Sequence, residues 1–208
     1  MSRAVEKARQ DPQSVQARIL AAARAVFGQY GFHGATTRII AHEAGLDVST
    51  LYYHFGEKGD LYQAVIGDLS QDLKEKLAQV EKVIHGRPLG QRLEISIDQM
   101  TDYLFDNPAI AHLLLQRYFA KTRQEMTWDS EVPVFASNIA RSMGLDQDGQ
   151  VANEAKLKVL GVMMAIYNFV SGEDFFRGML RMPEDEYRQR VKDTLKFLLI
   201  PAFAADQA

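Results

Sequence analysis

Two short helices joined by a tight turn are predicted by residues 37–58, TRIIAHEAGLDVSTLYYHFGEK. The hydroxyl groups of Thr36 and Thr37 can accept hydrogen bonds from free backbone N–H groups where the first helix begins. Gly45 ends that helix, because glycine enters the left-handed conformation without a clash of Cβ. Asp47 can cap a second helix over residues 48–55. This pattern predicts a helix-turn-helix, whose second helix lies in the major groove of DNA.

The second of these helices has an unusual composition. Hydroxyl, phenol or imidazole groups stand at Ser49, Thr50, Tyr52, Tyr53 and His54. The two apolar positions left, 51 and 55, are spaced i and i+4 and are expected to be buried. Hydroxyl groups commonly contact phosphate oxygens, and threonine also contacts base edges. Half-buried tyrosines that only pack the helix are the alternative, and composition alone leaves it open.

The order Thr-Thr-Arg, Ala-Gly, Thr-Leu-Tyr, His-Phe and Lys within residues 36–58 resembles the DNA-binding signature of the tetracycline-repressor (TetR) family. The resemblance extends over roughly residues 18–69. It implies an all-α protein, with an N-terminal three-helix DNA-binding head and a larger helical body for ligand binding and dimerisation. The expected DNA-binding residues are Thr37, Arg38, Val48, Ser49, Thr50, Tyr52, Tyr53, His54 and Lys58.

Three positions near the end of the motif need separate interpretation. Lys58 lies at the start of the next helix, where free N–H groups and the helix dipole favour anions. The resemblance implies that it contacts the DNA backbone, and a solvated surface lysine is the alternative. Asp47 stands where the family usually has Ser or Thr, which adds negative charge close to phosphate. Gly59 stands where a helix-forming residue is usual, which weakens the start of that helix.

Three segments are expected along the chain. Residues 1–13 are polar and contain three basic side chains before Asp11-Pro12, so they are predicted to form a flexible arm. Contact of this arm with DNA stays open. Residues 14–60 form the helix-turn-helix domain. Its first helix is expected to end at Gly31. Residues 61–208 form the helical effector-binding and dimerisation domain, entered through a long helix that bridges head and body.

Charge, hydropathy and cysteine usage restrict the class of protein. The net charge of −3 argues against a general nucleic-acid coat, whereas residues 1–60 carry a net +1 that suits local DNA contact. The chain has no cysteine, so it holds neither a disulfide framework nor a zinc finger. Its longest apolar run, residues 159–170, is shorter than the roughly 20 residues that span a bilayer. We expect a soluble, cytoplasmic protein without membrane association.

Dimerisation and sensing are the two expected tasks of the body. In the family that this chain resembles, the last two long helices form a four-helix bundle across a two-fold axis. Gly161 and Ala165, spaced i and i+4, would let such helices approach closely. Ordinary packing within one chain is the alternative. A homodimer would bring two reading helices to a near-palindromic, double-stranded DNA operator.

A small-molecule site is expected among the middle helices, because apolar pockets with a few polar groups are the usual form of such sites. His112 and Arg117 are candidate polar groups for it. The resemblance implies that an unidentified effector binds there and releases the DNA by a population shift. The expected ligand-binding residues are Tyr103, Leu104, Tyr118, Phe119, Trp128, Met164, Tyr167 and Asn168.

The sequence contains none of the common catalytic motifs. Glycine-rich phosphate loops, H-E-x-x-H and nucleophile-elbow patterns are all missing. The five histidines have no metal-ligand spacing. We therefore predict a transcriptional regulator, a repressor, that is not an enzyme and needs no cofactor or metal. The alternative is an all-helical dimeric interaction module that reads no specific DNA sequence.

Overall fold

The computed structural model describes residues 2–119, 127–146 and 148–205, and the side chains of residues 2–118, 134–146 and 148–203. Within these ranges all regular secondary structure is helical, which confirms the predicted all-α class. None of the described helices is both long and apolar enough to cross a membrane. The helices are α1 (Arg3–Gln10), α2 (Val15–Gly34), α3 (Thr37–Glu43), α4 (Val48–Phe55), α5 (Lys58–Ile84), α6 (Leu89–Asp106), α7 (Pro108–Phe119), α8 (Thr127–Ser142), α9 (Asn153–Ser171), α10 (Glu173–Leu180) and α11 (Glu184–Ala205).

Two compact units make up the chain. The head unit comprises Met1–Leu73 and His112–Asp129, and the body unit comprises Lys74–Ala111 and Ser130–Ala208. The division differs from the expected boundary after residue 60, because the first turns of α5 bury Leu61 in the core of the head unit. The head unit also takes in most of α7, which the sequence analysis assigned to the body.

Helix α2 forms the centre of the head unit. Ser14 caps it, since the Ser14 hydroxyl accepts a hydrogen bond of 3.2 Å from the backbone N–H of Ala17. Ile19 and Phe27 are fully buried along its inner face. Gly31 has φ +68°, so the helix is interrupted there as predicted, and one further turn follows. His33 lies in this further turn.

The N-terminal residues are helical, and the expectation of a flexible arm was wrong. Ser2 caps α1 by accepting a hydrogen bond from the N–H of Val5. Val5 and Ala8, one turn apart, are buried. This apolar pair gives α1 a face to pack on α2, which compensates for the entropy of ordering a chain end. The helix ends at Gln10, before Asp11-Pro12.

Four charged side chains join three helices of the head unit, and we call them the four-charge cluster: Arg9, Arg24, Asp68 and Asp72. Arg9 Nη1 lies 2.8 Å from Asp68 Oδ1 and 2.7 Å from Asp72 Oδ1. Arg24 Nη2 bonds Asp68 as well, and lies 2.7 Å from Asp72 Oδ2. Burial alone would lower the pKa of Arg9, but its hydrogen bonds to both carboxylates raise that pKa above its ordinary value. The cluster fixes α1 and α2 to α5.

Helix α5 begins in spite of its second residue, Gly59. The Asp60 carboxylate accepts a hydrogen bond of 3.0 Å from the N–H of Glu57, which satisfies one free donor at the helix start. Gly59 itself is exposed, and a Cβ atom added there would meet nothing within 4 Å. Gly59 therefore weakens the start of α5 only through the low helix propensity of glycine. No neighbouring backbone among the described residues requires a glycine there.

The body unit has an apolar core of small and large side chains, among them Leu93, Ala140, Val159 and Phe203. Helix α11 continues to Ala205 with Pro201 inside it. Phe203, beyond the proline, is buried in this core. Burial of that side chain favours continuing the helix against the loss of one backbone hydrogen bond.

Three ion pairs connect α6 and α11, and we call them the α6–α11 ladder. Their acidic members recur every four residues along α6, and their basic members every four residues along α11 in the opposite direction. The pairs are Asp98–Lys196 at 2.7 Å, Asp102–Lys192 at 2.8 Å and Asp106–Arg188 at 3.5 Å.

Candidate nucleic-acid interface

Helix α3 and the turn after it have the predicted local structure. The Thr36 hydroxyl accepts a hydrogen bond of 3.2 Å from the N–H of Ile39. Gly45 has φ +64°, and the N–H of Leu46 donates to the carbonyl of Ala41 at 2.9 Å. These bonds complete the end of the helix in the way that glycine permits. The cap and the glycine turn are confirmed.

A side chain from α2 holds this turn in place. Arg18 Nη2 donates to the carbonyl of Ala44 at 2.6 Å and to that of Gly45 at 3.2 Å. Carbonyls at a helix end lack intrahelical donors, so a guanidinium group is a suitable partner for them. The sequence analysis missed this role of Arg18, because nothing local pairs a residue of one helix with a turn 26 positions away.

Helix α4 buries Leu51 and Phe55, as their spacing predicted. Asp47 takes the N-cap position with extended backbone, but its side chain makes no capping hydrogen bond. The expectation that Asp47 caps the helix was therefore wrong with respect to its side chain. Its carboxylate is exposed beside the first turn of α4.

The other face of α4 is open to solvent. Tyr53 is 85% exposed and Tyr52 is 47% exposed, and Ser49 is exposed as well. Val48 and Thr50 are half-buried. The high exposure of Tyr53 excludes the alternative in which both tyrosines serve only to pack the helix. Large side chains that remain exposed on a short helix are available to a partner.

Hydroxyl groups from α3 and α4 lie side by side. Thr37 Oγ1 and the Tyr52 hydroxyl oxygen are 3.5 Å apart, and either group can be the donor. Arg38, the next residue of α3, is exposed. The two helices thus present hydroxyl groups and one guanidinium group on adjoining turns, and such groups suit phosphate oxygens.

His54 is more enclosed than the tyrosines that precede it. Its Nδ1 lies 3.2 Å from Gln16 Nε2 of α2, and its ring makes an edge contact with the ring of Tyr53 at 4.9 Å between centroids. The bond with Gln16 ties α4 to α2, and the ring contact restricts the orientation of Tyr53. His54 therefore helps to hold α4 and the Tyr53 ring in place.

Lys58 makes its contacts inside the head unit. Its ammonium group donates to the carbonyls of Phe32 at 2.9 Å and Ala35 at 3.1 Å. The same group lies 4.5 Å from the centroid of the Phe32 ring, within the range of a cation–π interaction. These contacts differ from the solvated alternative, and the phosphate contact of Lys58 stays a prediction. In this structure the ammonium group connects the start of α5 to the end of α2.

The residues expected to bind an effector do not share one environment. Leu104 and Tyr167 are buried, and burial raises the pKa of Tyr167 above its ordinary value. Asn168 is exposed, and Tyr118, which belongs to the head unit, is 70% exposed. The remaining four are Tyr103 and Met164, which are half-buried, and Phe119 and Trp128, whose side chains lie outside the described residues.

Arg117, a candidate polar group for the effector site, belongs to the head unit. Burial raises the pKa of the neighbouring Tyr62, and the positive charge of Arg117 partly opposes that increase. The ring of Tyr62 packs edge-on against Phe27 at 4.9 Å and Phe32 at 5.0 Å. Arg117 thus lies near the aromatic core of the head.

Comparison of the sequence with known proteins agrees with this geometry. Residues 19–65 match the family model described as bacterial regulatory proteins, tetR family. The HTH-type transcriptional regulator UidR of Escherichia coli K12 is 34% identical over 100 residues, which are 48% of this chain and 50% of UidR. The HTH-type transcriptional repressor SCO4008 of Streptomyces coelicolor is 29% identical over 143 residues, 69% of this chain and 68% of that protein. The match to UidR spans about half the length of that relative.

Solved structures resemble the chain over most of its length. A TetR-like transcriptional regulator from Rhodococcus sp. RHA1 has a TM-score of 0.61 at 17% identity, covering 88% of this chain and 93% of that one. The fatty acid degradation regulator FadR from Bacillus halodurans has a TM-score of 0.58 at 16% identity, covering 88% and 95%. At this identity the likeness establishes the fold alone. The family-model match over residues 19–65 and the HTH-type relatives support a regulator of the TetR family.

Proposed function

We propose that this chain is a DNA-binding transcriptional regulator, a repressor, that binds a near-palindromic operator as a homodimer and leaves it when a small molecule binds. The observation that carries the proposal is the exposed hydroxyl-rich face of α4, with Tyr53 at its most exposed point. A buried helix of the same composition would offer DNA nothing. This face stands in a head unit whose sequence matches the family model.

The reading surface consists of residues from both short helices. Tyr53 and Ser49 project from α4 toward bases or sugar-phosphate, and Thr50 and Val48 lie at its edge. Thr37 and Tyr52 form a hydroxyl pair for one phosphate, since their oxygens are close enough to contact the same group. His54 acts through the placement of Tyr53.

Few cationic side chains are available on this surface, which affects the salt dependence of DNA binding. Arg38 is exposed, whereas Lys58 and Arg18 donate to carbonyls within the head unit. Each phosphate neutralised by a cation contributes about 0.9 to the slope of log affinity against log salt. We therefore expect a shallow salt dependence for each head, with affinity resting largely on neutral hydroxyl and amide donors.

The dimer surface is proposed on α9 and α11. Leu157 on α9 and Phe197 on α11 are 67% and 77% exposed, and Leu198 is exposed beside Phe197. Gly161 follows Leu157 by one turn, is exposed, and has open space around it. Large exposed apolar side chains on a helix are typical of protein–protein contact surfaces. A two-fold arrangement of these helices would bury them.

The effector is proposed to bind in the body unit near Leu104 and Tyr167, and to favour a body conformation that does not suit the operator. Such coupling commonly amounts to about 1–3 kcal/mol.

The experiment starts from an operator selected out of genomic DNA with the full chain. Fluorescence anisotropy then compares that duplex with a scrambled one of equal length and composition, at several salt concentrations. Sedimentation of the complex gives the number of chains bound. We expect two chains for each operator, and tighter binding of the operator than of the scrambled duplex.

Two exposed tyrosines of the head unit serve as test and matched control. Tyr53→Ala removes a large part of the reading face, and we expect operator affinity to fall by about 1–3 kcal/mol while stability is unchanged. Tyr30→Ala removes a tyrosine of α2 that is 50% exposed, and should leave affinity unchanged. Equal affinity of the unaltered chain for operator and scrambled DNA would favour the dimeric interaction module instead.

A further inference from the structure

The end of α2 is completed by a side chain from elsewhere in the chain. Gly31 leaves the helical conformation, and carbonyls at a helix end commonly need donors from outside the helix. The carbonyl of Gly28 accepts a hydrogen bond of 3.1 Å from Nε2 of Gln116, 88 positions later on α7. Both residues belong to the head unit. Gly28 is buried, and a buried carbonyl left without a donor costs free energy.

The Gln116 amide also packs against the interruption itself. Its Oε1 is buried without a hydrogen-bond partner. The same atom lies 3.1 Å from the position that a Cβ atom on Gly31 would occupy. The amide group is therefore in contact with the one residue at which α2 changes direction. Its nitrogen secures the carbonyl before the interruption, and its oxygen faces the interruption.

The segment that follows the interruption places the reading helices. The carbonyls of Phe32 and Ala35 accept hydrogen bonds from Lys58, at the start of α5. Thr36, next along the chain, caps α3. A change in direction at Gly31 would therefore move the starts of α3 and α5 together, and α4 lies between those two helices in the sequence.

We infer that Gln116 is a positioning residue for DNA binding, which acts through the Gly28 carbonyl to hold the interruption of α2 and thereby the angle of α3 and α4. The inference rests on the proposed function for its DNA readout. Helix α7 begins at Pro108, which belongs to the body unit. The hydrogen bond to Gly28 itself lies within the head unit.

Two substitutions remove the hydrogen-bond donor while nearly preserving the shape. Gln116→Met replaces the amide by an apolar group of similar length, and Gln116→Glu replaces only the nitrogen. We expect operator affinity per folded molecule to fall about tenfold for both, the effect of losing a hydrogen bond to a buried carbonyl. The salt slope should be unchanged, because no phosphate contact is lost. Gln29→Glu, at an exposed position of α2, is the charge control and should bind as the unaltered chain does.

Two further readouts separate positioning from a general loss of stability. Gln116→Met loses the bond to Gly28 but also removes an unsatisfied buried oxygen, and these effects offset, so its thermal midpoint should stay close to that of the unaltered chain while affinity falls. Amide exchange should accelerate in residues 28–36 and not in α9 or α11. In Gln116→Glu, lowering the pH protonates the introduced carboxyl group, which then donates to Gly28. Its affinity relative to the unaltered chain should recover.

The outcomes divide cleanly. Unaltered operator affinity and unaltered exchange over residues 28–36 in Gln116→Met would overturn the inference and leave the proposed function intact. If the unaltered chain itself does not distinguish operator from scrambled DNA, the proposed function fails. Local acceleration of exchange would then still support Gln116 as the residue that holds the interruption, and its absence would overturn that role as well.

Discussion

The head and body units both join helices through paired charges, but they do so in different ways. In the four-charge cluster, two guanidinium groups share two carboxylates, and the side chain of Asp68 is only 3% exposed. In the α6–α11 ladder, each aspartate pairs with one basic side chain of α11, and Asp102 and Asp106 are 54% and 71% exposed. A buried carboxylate depends on its partners far more than an exposed one does. The head is therefore the unit in which removing one charge matters most.

The largest effect is expected for Asp68→Asn. The change leaves Arg9 and Arg24 with one shared carboxylate and a buried amide, and the free energy of unfolding should fall by about 2–4 kcal/mol. Urea unfolding followed by circular dichroism measures it. Asp72→Asn, at a more exposed member of the same cluster, should cost less. Equal losses for the two variants would show that burial does not distinguish them.

Lys58→Met tests whether the head uses this lysine internally. Loss of two hydrogen bonds and of the contact with the Phe32 ring should reduce the free energy of unfolding by about 1–3 kcal/mol. Lys7→Met, at an exposed position of α1, is the control and should change little. If stability is instead unchanged and the salt slope of operator binding falls by about one, Lys58 contacts a phosphate, as the sequence predicts.

Tyr187 gives the body a pH-dependent contribution. Its hydroxyl donates to the carbonyl of Phe169 at 2.9 Å, and burial, assisted by the charge of Glu173, raises the pKa of Tyr187 to about 12. An unfolded tyrosine titrates near 10, so the stability from this group is fully present below about pH 10 and is lost as the pH rises toward 12. Tyr187→Phe should cost about 1 kcal/mol at pH 8 through the lost hydrogen bond.

The measurement is urea unfolding at a series of pH values from 8 to 12. Because the variant has already lost this group, the difference between it and the unaltered chain should shrink above pH 10. A constant difference across the series would contradict the raised pKa of Tyr187.

The smallest effect is expected in the ladder. Lys192→Met should cost about 0.5 kcal/mol, because its partner Asp102 is exposed and water screens the pair. The cost should diminish in 1 M salt, where the Debye length is only about 3 Å. Repeating the unfolding of Asp68→Asn at both salt concentrations sharpens the comparison, since its effect should change much less.

Short-range chemistry explains what the sequence predicted well. The cap at Thr36, the turn at Gly45 and the buried pair Leu51 and Phe55 each depend on neighbours within a few positions. The exposed face of α4 follows from that pair, because a helix that buries one side turns the other outward. The family signature then assigned this face to DNA.

Long-range contacts explain what the sequence did not predict. Helix α1 was predicted to be a flexible arm, because its short apolar stripe stabilises a helix only when it packs against α2. The long side chain of Lys58 can extend either into solvent or toward the end of α2, and the local sequence does not predict which. The bond from Gln116 to Gly28 joins residues 88 positions apart and has no pattern in the sequence at all.

Gly59 offers a practical use at the first turn of α5, inside the head unit. An alanine there would meet no neighbouring atom, yet it would favour the helical state of the first turn of α5 by about 0.5–1 kcal/mol. For anyone building a biosensor from this chain, one methyl group would stiffen that turn and leave every described contact in place.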